Sequence, residues 1–183
     1  MLRGSKPWES GYSLLEVIVS VSLIGLATAL VASSFFLLSN LYVKASEQTF
    51  LQQEARHAAS FLTKELTFGV GVEVFSNRDD ARSLSGESYL LYSDGGIVWL
   101  QKGKGSPQEV FADSDAEFDV RFRAMASDLE EGLTEFASLL VAEITVRSRK
   151  SGREASVTKT IKLLNSRLNR DQDGKAIAYV KPS

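Results

Sequence analysis

The chain has 183 residues, 44% hydrophobic and 24% charged, with a formal net charge of −2. That balance argues against nucleic acid as a main partner, since such a partner calls for a basic face. There is no cysteine, which excludes disulfide staples, thiolate catalysis and cysteine metal sites. Length alone suggests one domain with an appendage.

The first ten residues, MLRGSKPWES, set Arg3 and Lys6 against Glu9. With the α-amino group they form a short, net positive flank, expected to stay cytoplasmic by the positive-inside rule. Glu16 follows, and no charge occurs from Val17 to Val43. That run exceeds the roughly 20 residues a helix needs to cross a bilayer. It is too long for the core of an ordinary secretory signal, and "SSFFLLSNLYVK" at its end offers no small-residue cleavage site. The conservative reading is an uncleaved signal anchor. Glu16 is what that reading leaves unexplained. An acid near the end of a membrane helix costs up to a few kcal/mol and is a functional candidate. The alternative is that it snorkels to the headgroups.

Gly11-Tyr12-Ser13-Leu14-Leu15-Glu16, behind its basic leader and ahead of an apolar helix containing Gly25, resembles the class III signal of type IV pilins and pseudopilins. The leader departs from the pattern in carrying Pro7, Trp8 and Glu9, and Tyr12 replaces the commoner phenylalanine. The resemblance implies insertion into the inner membrane, N-terminus cytoplasmic and C-terminal head periplasmic. It implies cleavage between Gly11 and Tyr12 by a prepilin peptidase and N-methylation of Tyr12. The expected partners are this peptidase, an inner-membrane assembly platform and other pilin or pseudopilin subunits in a filament. Glu16 would then be an assembly contact, meeting the N-terminal amine of a neighbouring subunit. A paired charge is tolerated among apolar helices and fixes register, whereas an unpaired one is costly.

Helical pattern continues past the apolar run. Leu51, Ala55, Ala58, Leu62 and Leu66 form one stripe, with Lys44, Glu47, Gln53, Glu54, Arg56 and Lys64 mostly off it. One helix over about 13–68 is predicted, roughly 80 Å long. It lacks the kinking proline common in major pilins, and "QQEARHAASFLTKEL" is similar to the corresponding helix of J-type minor pseudopilins and W-type minor pilins. His57, the single histidine, has no second histidine or cysteine to share a metal, so it reads as a polar residue on a helix flank.

From Gly69 the period changes to two. Strands are expected at 72–75, 88–92, 96–101, 109–111, 116–124, 138–149 and 154–164. Ser93-Asp94-Gly95-Gly96 and Lys150-Ser151-Gly152-Arg153 read as hairpin turns. Phe118, Val120 and Phe122 share one strand face. The fold class expected is α+β: a long N-terminal helix whose second half packs on an antiparallel β-sheet head. Late paired strands ending at Leu164-Asn165-Ser166 also resemble the J-type family. The expected organisation is a leader over 1–11, an apolar assembly half over 12–43, a soluble half over 44–68, a head over 69–168 and a flexible polar tail over 169–183.

Two segments hold acids. "SDLEEGLTEF" (127–136) reads as a solvated loop or short helix. In "NRDQDGK", Asn169, Asp171 and Asp173 are spaced as the first half of a calcium loop, but its closing acid would fall at Val180. They are weak calcium candidates against a tail using Asp and Gly as turn formers, and no cofactor is expected. No phosphate-binding glycine motif or nucleophile–base pair is visible. The expected function is a minor pilin or pseudopilin, a structural subunit and not an enzyme. Type II secretion, a type IV pilus and DNA uptake all remain open as its machine. The alternative is a membrane-anchored periplasmic binding module that does not polymerise.

Overall fold

The computed structural model describes residues 13–81, 87–125, 138–166 and 172–182. One helix, α1, runs without a break from Leu14 to Leu66. No proline interrupts it, and its only glycine is Gly25. Thr67 and Phe68 form a turn, and Gly69 ends the helix with its N–H donated to the Leu66 carbonyl at 3.0 Å. A side chain at Gly69 would crowd Val72, the Leu66 carbonyl and Tyr179 at 3.2–3.3 Å, so glycine suits this close turn. The chain divides into two compact units, with the boundary inside α1 between Ser46 and Glu47.

In the second unit α1 presents the predicted stripe. Leu51, Ala55, Ala58, Leu62 and Leu66 are all buried, and Ala59 joins them. The alanines let the helix backbone approach the sheets. Each buried leucine contributes on the order of 2 kcal/mol. The stripe packs on antiparallel strands: β1 (Val70–Phe75), β2 (Tyr89–Asp94), β3 (Ile97–Lys102), β4 (Gln108–Phe111), β5 (Ala116–Met125), β6 (Ser138–Ser148), β7 (Glu154–Leu163), β8 (Gln172–Gly174) and β9 (Ala176–Val180). They form two sheets rather than one, ordered β1-β9-β2-β3-β4 and β7-β6-β5-β8. A common core joins both sheets to the helix. Phe118, Val120 and Phe122 all face it, as their alternation predicts. Phe61 of α1 meets Phe111 edge-on at 5.4 Å, and Phe111 meets Phe118 at 5.7 Å, linking helix, β4 and β5. The β2–β3 turn uses Gly95 and Gly96 at φ 60° and 78°, the double left-handed geometry of a two-residue hairpin.

The C-terminal segment overturns the flexible-tail expectation. Residues 172–174 and 176–180 are strands, so the head extends well beyond residue 168. Ala176, Ile177, Ala178 and Tyr179 are buried, and β9 lies between β1 and β2. Gly174 permits the approach of β8: a Cβ there would lie 1.9 Å from the Phe75 carbonyl oxygen. Tyr179 stacks on Tyr89 at 5.7 Å and donates its hydroxyl to Glu65 Oε2 of α1 at 2.8 Å. Lys181 Nζ sits 2.8 Å from the same carboxylate and 4.7 Å over the Tyr89 ring. Burial, then the Glu65 contact, pushes the Tyr179 hydroxyl far above its ordinary value. It therefore acts as a fixed donor.

A second polar contact ties the start of the soluble half to the β6–β7 hairpin. Glu47 accepts a hydrogen bond from Ser151 and lies 3.6 Å from Arg153. The hydrogen bond from Ser148, then that from Ser151, with help from Arg153 against some desolvation, holds the Glu47 carboxyl below its ordinary 4.5. The sheet edges are blunted. Lys159 occupies a core-facing position of edge strand β7 yet is exposed, β8 has three residues, Pro107 precedes β4 and β1 carries a register shift between Val70 and Glu73. Such features oppose strand-to-strand association.

Two outcomes follow for the fragment Ala45–Ser183. Deleting residues 176–183 should abolish its cooperative thermal unfolding, measured by circular dichroism, whereas loss of a flexible tail would leave the transition in place. Glu47→Gln should lower stability above about pH 4.5. Glu47 has a depressed folded value, so its contribution is present above the unfolded value and lost as pH falls through the folded one. Urea midpoints of wild type and variant should therefore differ at pH 7 and converge below pH 4.5.

Candidate functional site

The first turn of α1 is built by Ser13 and Glu16. Ser13 is the cap: its Oγ accepts the Glu16 N–H at 3.2 Å, and its carbonyl accepts the same N–H at 2.9 Å and that of Val17 at 3.2 Å. Ser-x-x-Glu is the sequence form of the capping box. A carboxylate in the first turn also complements the positive end of the helix dipole. Glu16 is exposed, and beyond it the helix is apolar on every side. Leu23, Ile24, Leu26, Leu30, Val31, Phe35 and Phe36 are each at least 60% exposed. Ser20, Ser22, Thr28, Ser33 and Ser34 donate their hydroxyls to carbonyls three or four residues earlier. These polar groups are thereby satisfied within the helix, as an apolar solvent demands. The helix is long and apolar enough to cross a membrane once. An all-round apolar surface of this kind suits lipid or a bundle of like helices.

The other predicted residues fall elsewhere. Gly11 and Tyr12 lie outside the described residues, as do Asn169, Asp171 and the acidic stretch 127–136. Asp173 lies on β8 opposite Arg123 of β5, with Nη2 to Oδ2 3.7 Å, both exposed. It is an ion-paired strand residue and not part of an open loop. His57 is 73% exposed, and its Nδ1 is 4.0 Å from Glu54. Among the described residues no group of three or more His, Asp or Glu is placed to hold a metal ion.

The head also carries an open polar cleft of about 960 Å³. One wall is the solvent face of β5 and β6, with Asp119, Arg121, Glu143 and Arg147. The other is the β2–β3 turn and the 3₁₀ turn Arg78–Ala81. Seven carboxylates line it against four cations. Lys175 pairs with Asp119 at 2.7 Å, and Arg147 with Glu154 at 3.0 Å. The Arg78 guanidinium lies 5.0 Å over the Tyr92 ring. Burial raises the Tyr92 hydroxyl, with Arg78 opposing. Chemically the cleft can attract or repel charge. Sequence reasoning missed it because its lining comes from separate segments with no local signature. No family model matches the chain, and searches of curated proteins and of solved structures find no match either.

Proposed function

We propose that this chain is a minor pilin or pseudopilin, a structural subunit of a type IV pilus or of a type II secretion pseudopilus. The observation that carries the reading is one acid, Glu16, in the first turn of an otherwise apolar, exposed helix that continues into a β-rich head. The sequence ahead of it, Gly11-Tyr12, supports the same reading. In this account a prepilin peptidase removes residues 1–11 and the amine of Tyr12 is methylated. The helix then leaves the inner membrane with its head on the periplasmic side and packs among the helices of neighbouring subunits. Glu16 pairs there with a neighbour's amine, which explains why a carboxylate is kept where a leucine would insert more readily. The polar cleft favours a second reading, an anchored binding module that never polymerises.

The test uses Glu16→Leu and Glu16→Gln in cells with a pilus assembly system and its peptidase. Glutamine can still serve in a capping box but carries no charge. Both variants should insert and be cut to begin at Tyr12, seen by intact mass as loss of 11 residues, and both should fail to join sheared filaments. Breaking a buried pair costs up to about 3–5 kcal/mol, enough to exclude a subunit from assembly. Normal incorporation of either variant would reject the pairing. A wild-type chain that is never cut, or never found in filaments, would reject the subunit reading in favour of the binding module.

A further inference from the structure

We propose that the open polar cleft of the head is a docking site for a lysine- and arginine-bearing segment of a partner protein. This goes beyond the subunit reading and holds whether or not the chain polymerises.

The cleft carries the acidic excess of the whole chain. Its seven carboxylates against four cations leave a surplus of three negative charges. The complete chain has a net charge of −2, so everything outside the cleft is net positive by one. A concave surface focuses the potential of the charges that line it and draws oppositely charged partners.

The four cations are all engaged within the protein. Lys175 pairs with Asp119 at 2.7 Å, and Arg121 reaches the same carboxylate at 3.4 Å. Arg147 holds Glu154 at 3.0 Å. Arg78 covers the Tyr92 ring at 5.0 Å and donates to Gln101 at 3.4 Å. Glu117 is matched from outside the cleft by Arg149 at 3.7 Å. Asp80, Asp94 and Glu143, by contrast, are exposed and form no ion pair among the described residues. What the lining offers an occupant is therefore negative charge. An anion would have to displace carboxylates from cations that already hold them.

The three spare carboxylates come from three elements: the 3₁₀ turn, the end of β2 and the middle of β6. Among the described residues no group of three acids converges on one point, as a divalent cation needs. Carboxylates set apart call for positive charges set apart, carried on an extended chain. The volume of about 960 Å³ reaches the upper end of what small-molecule pockets offer. Asn77 and Thr145 also line the cleft. They provide neutral donors and acceptors, which the carbonyls and N–H groups of a peptide can use and the methylene chain of a polyamine cannot.

The test is a titration of the full-length chain in neutral detergent, followed by NMR of its backbone amides. The probe is a blocked peptide with three lysines alternating with glycine, and its control carries three glutamates instead. The lysine peptide should shift amides of the cleft and bind more weakly as salt is raised, while the glutamate peptide should shift none of them. Replacing Asp80 and Asp94 by Asn and Glu143 by Gln together should weaken binding roughly tenfold, the effect of losing three exposed ion pairs. Glu109→Gln, an exposed acid outside the cleft, should leave binding unchanged. Arg121→Gln raises the surplus of negative charge and should bind the peptide roughly twofold more tightly, a gain that a misfolded variant cannot show. Shifts spread over the head, or equal loss from Glu109→Gln, would overturn the proposal, as would unchanged affinity in the triple variant or no gain from Arg121→Gln. Spermidine bound as tightly as the peptide would also overturn it, since the cleft would then take a small polycation and not a protein segment.

Discussion

A helix in an apolar solvent must satisfy its polar groups from within, and in the first half of α1 five hydroxyls and the Glu16 N–H are satisfied in that way. Ser20, Ser22, Thr28, Ser33 and Ser34 bond back to carbonyls of the helix, the Glu16 N–H is closed by Ser13, and only Glu16 carries charge before Lys44. The same helix continues into an aqueous head, where the rule reverses. There one face is buried, Leu51 through Leu66 at helical spacing, and the rest is polar. The change of surroundings is thus written in the side chains, while the backbone stays regular.

The head is organised to hold that helix. Its apolar stripe supplies most of the attachment, and two carboxylates on α1 place it. Glu47 meets the β6–β7 hairpin, and Glu65 meets Tyr179 and Lys181 beside β9. Each is partly exposed, so neither contributes strongly as a simple ion pair. Their value lies in hydrogen bonds that fix rotation and register, with the Tyr179 hydroxyl kept protonated by burial and donating to Glu65. The blunted sheet edges oppose association through added strands.

Much of this was legible in the sequence because the signals are local. The helical stripe, the alternation in β5 and the Gly95-Gly96 turn depend on neighbours a few residues away. What was not legible depends on distant pairing. Five residues, "AIAYV", are too few to show a period, and they follow the polar "NRDQDGK", so the segment reads as tail. Its place between β1 and β2 is decided by strands some 84 to 110 residues earlier in the chain. The division into two sheets depends on the same pairing, and so does the need for Gly174 beside Phe75. In the candidate site, the letters that carry the resemblance, Ser13-Leu14-Leu15-Glu16, also spell a helix cap. The Ser-x-x-Glu spacing is a local signal of that cap, and the Ser13–Glu16 hydrogen bond bears it out. The cleft left no trace, since no single segment contributes enough of it.

The central claim is that the Glu16 carboxylate meets the N-terminal amine of a neighbouring subunit. Zero-length carbodiimide coupling of assembled material, followed by mass spectrometry, tests this directly. The reagent joins a carboxylate to an amine only when the two are in contact, with loss of one water. The account predicts a covalent link between Glu16 and the Tyr12 amine of the adjacent subunit, absent from dispersed monomers. A Glu16 carboxyl recovered unlinked in assembled material, while surface pairs such as Lys150–Asp115 of the head couple normally, would contradict it.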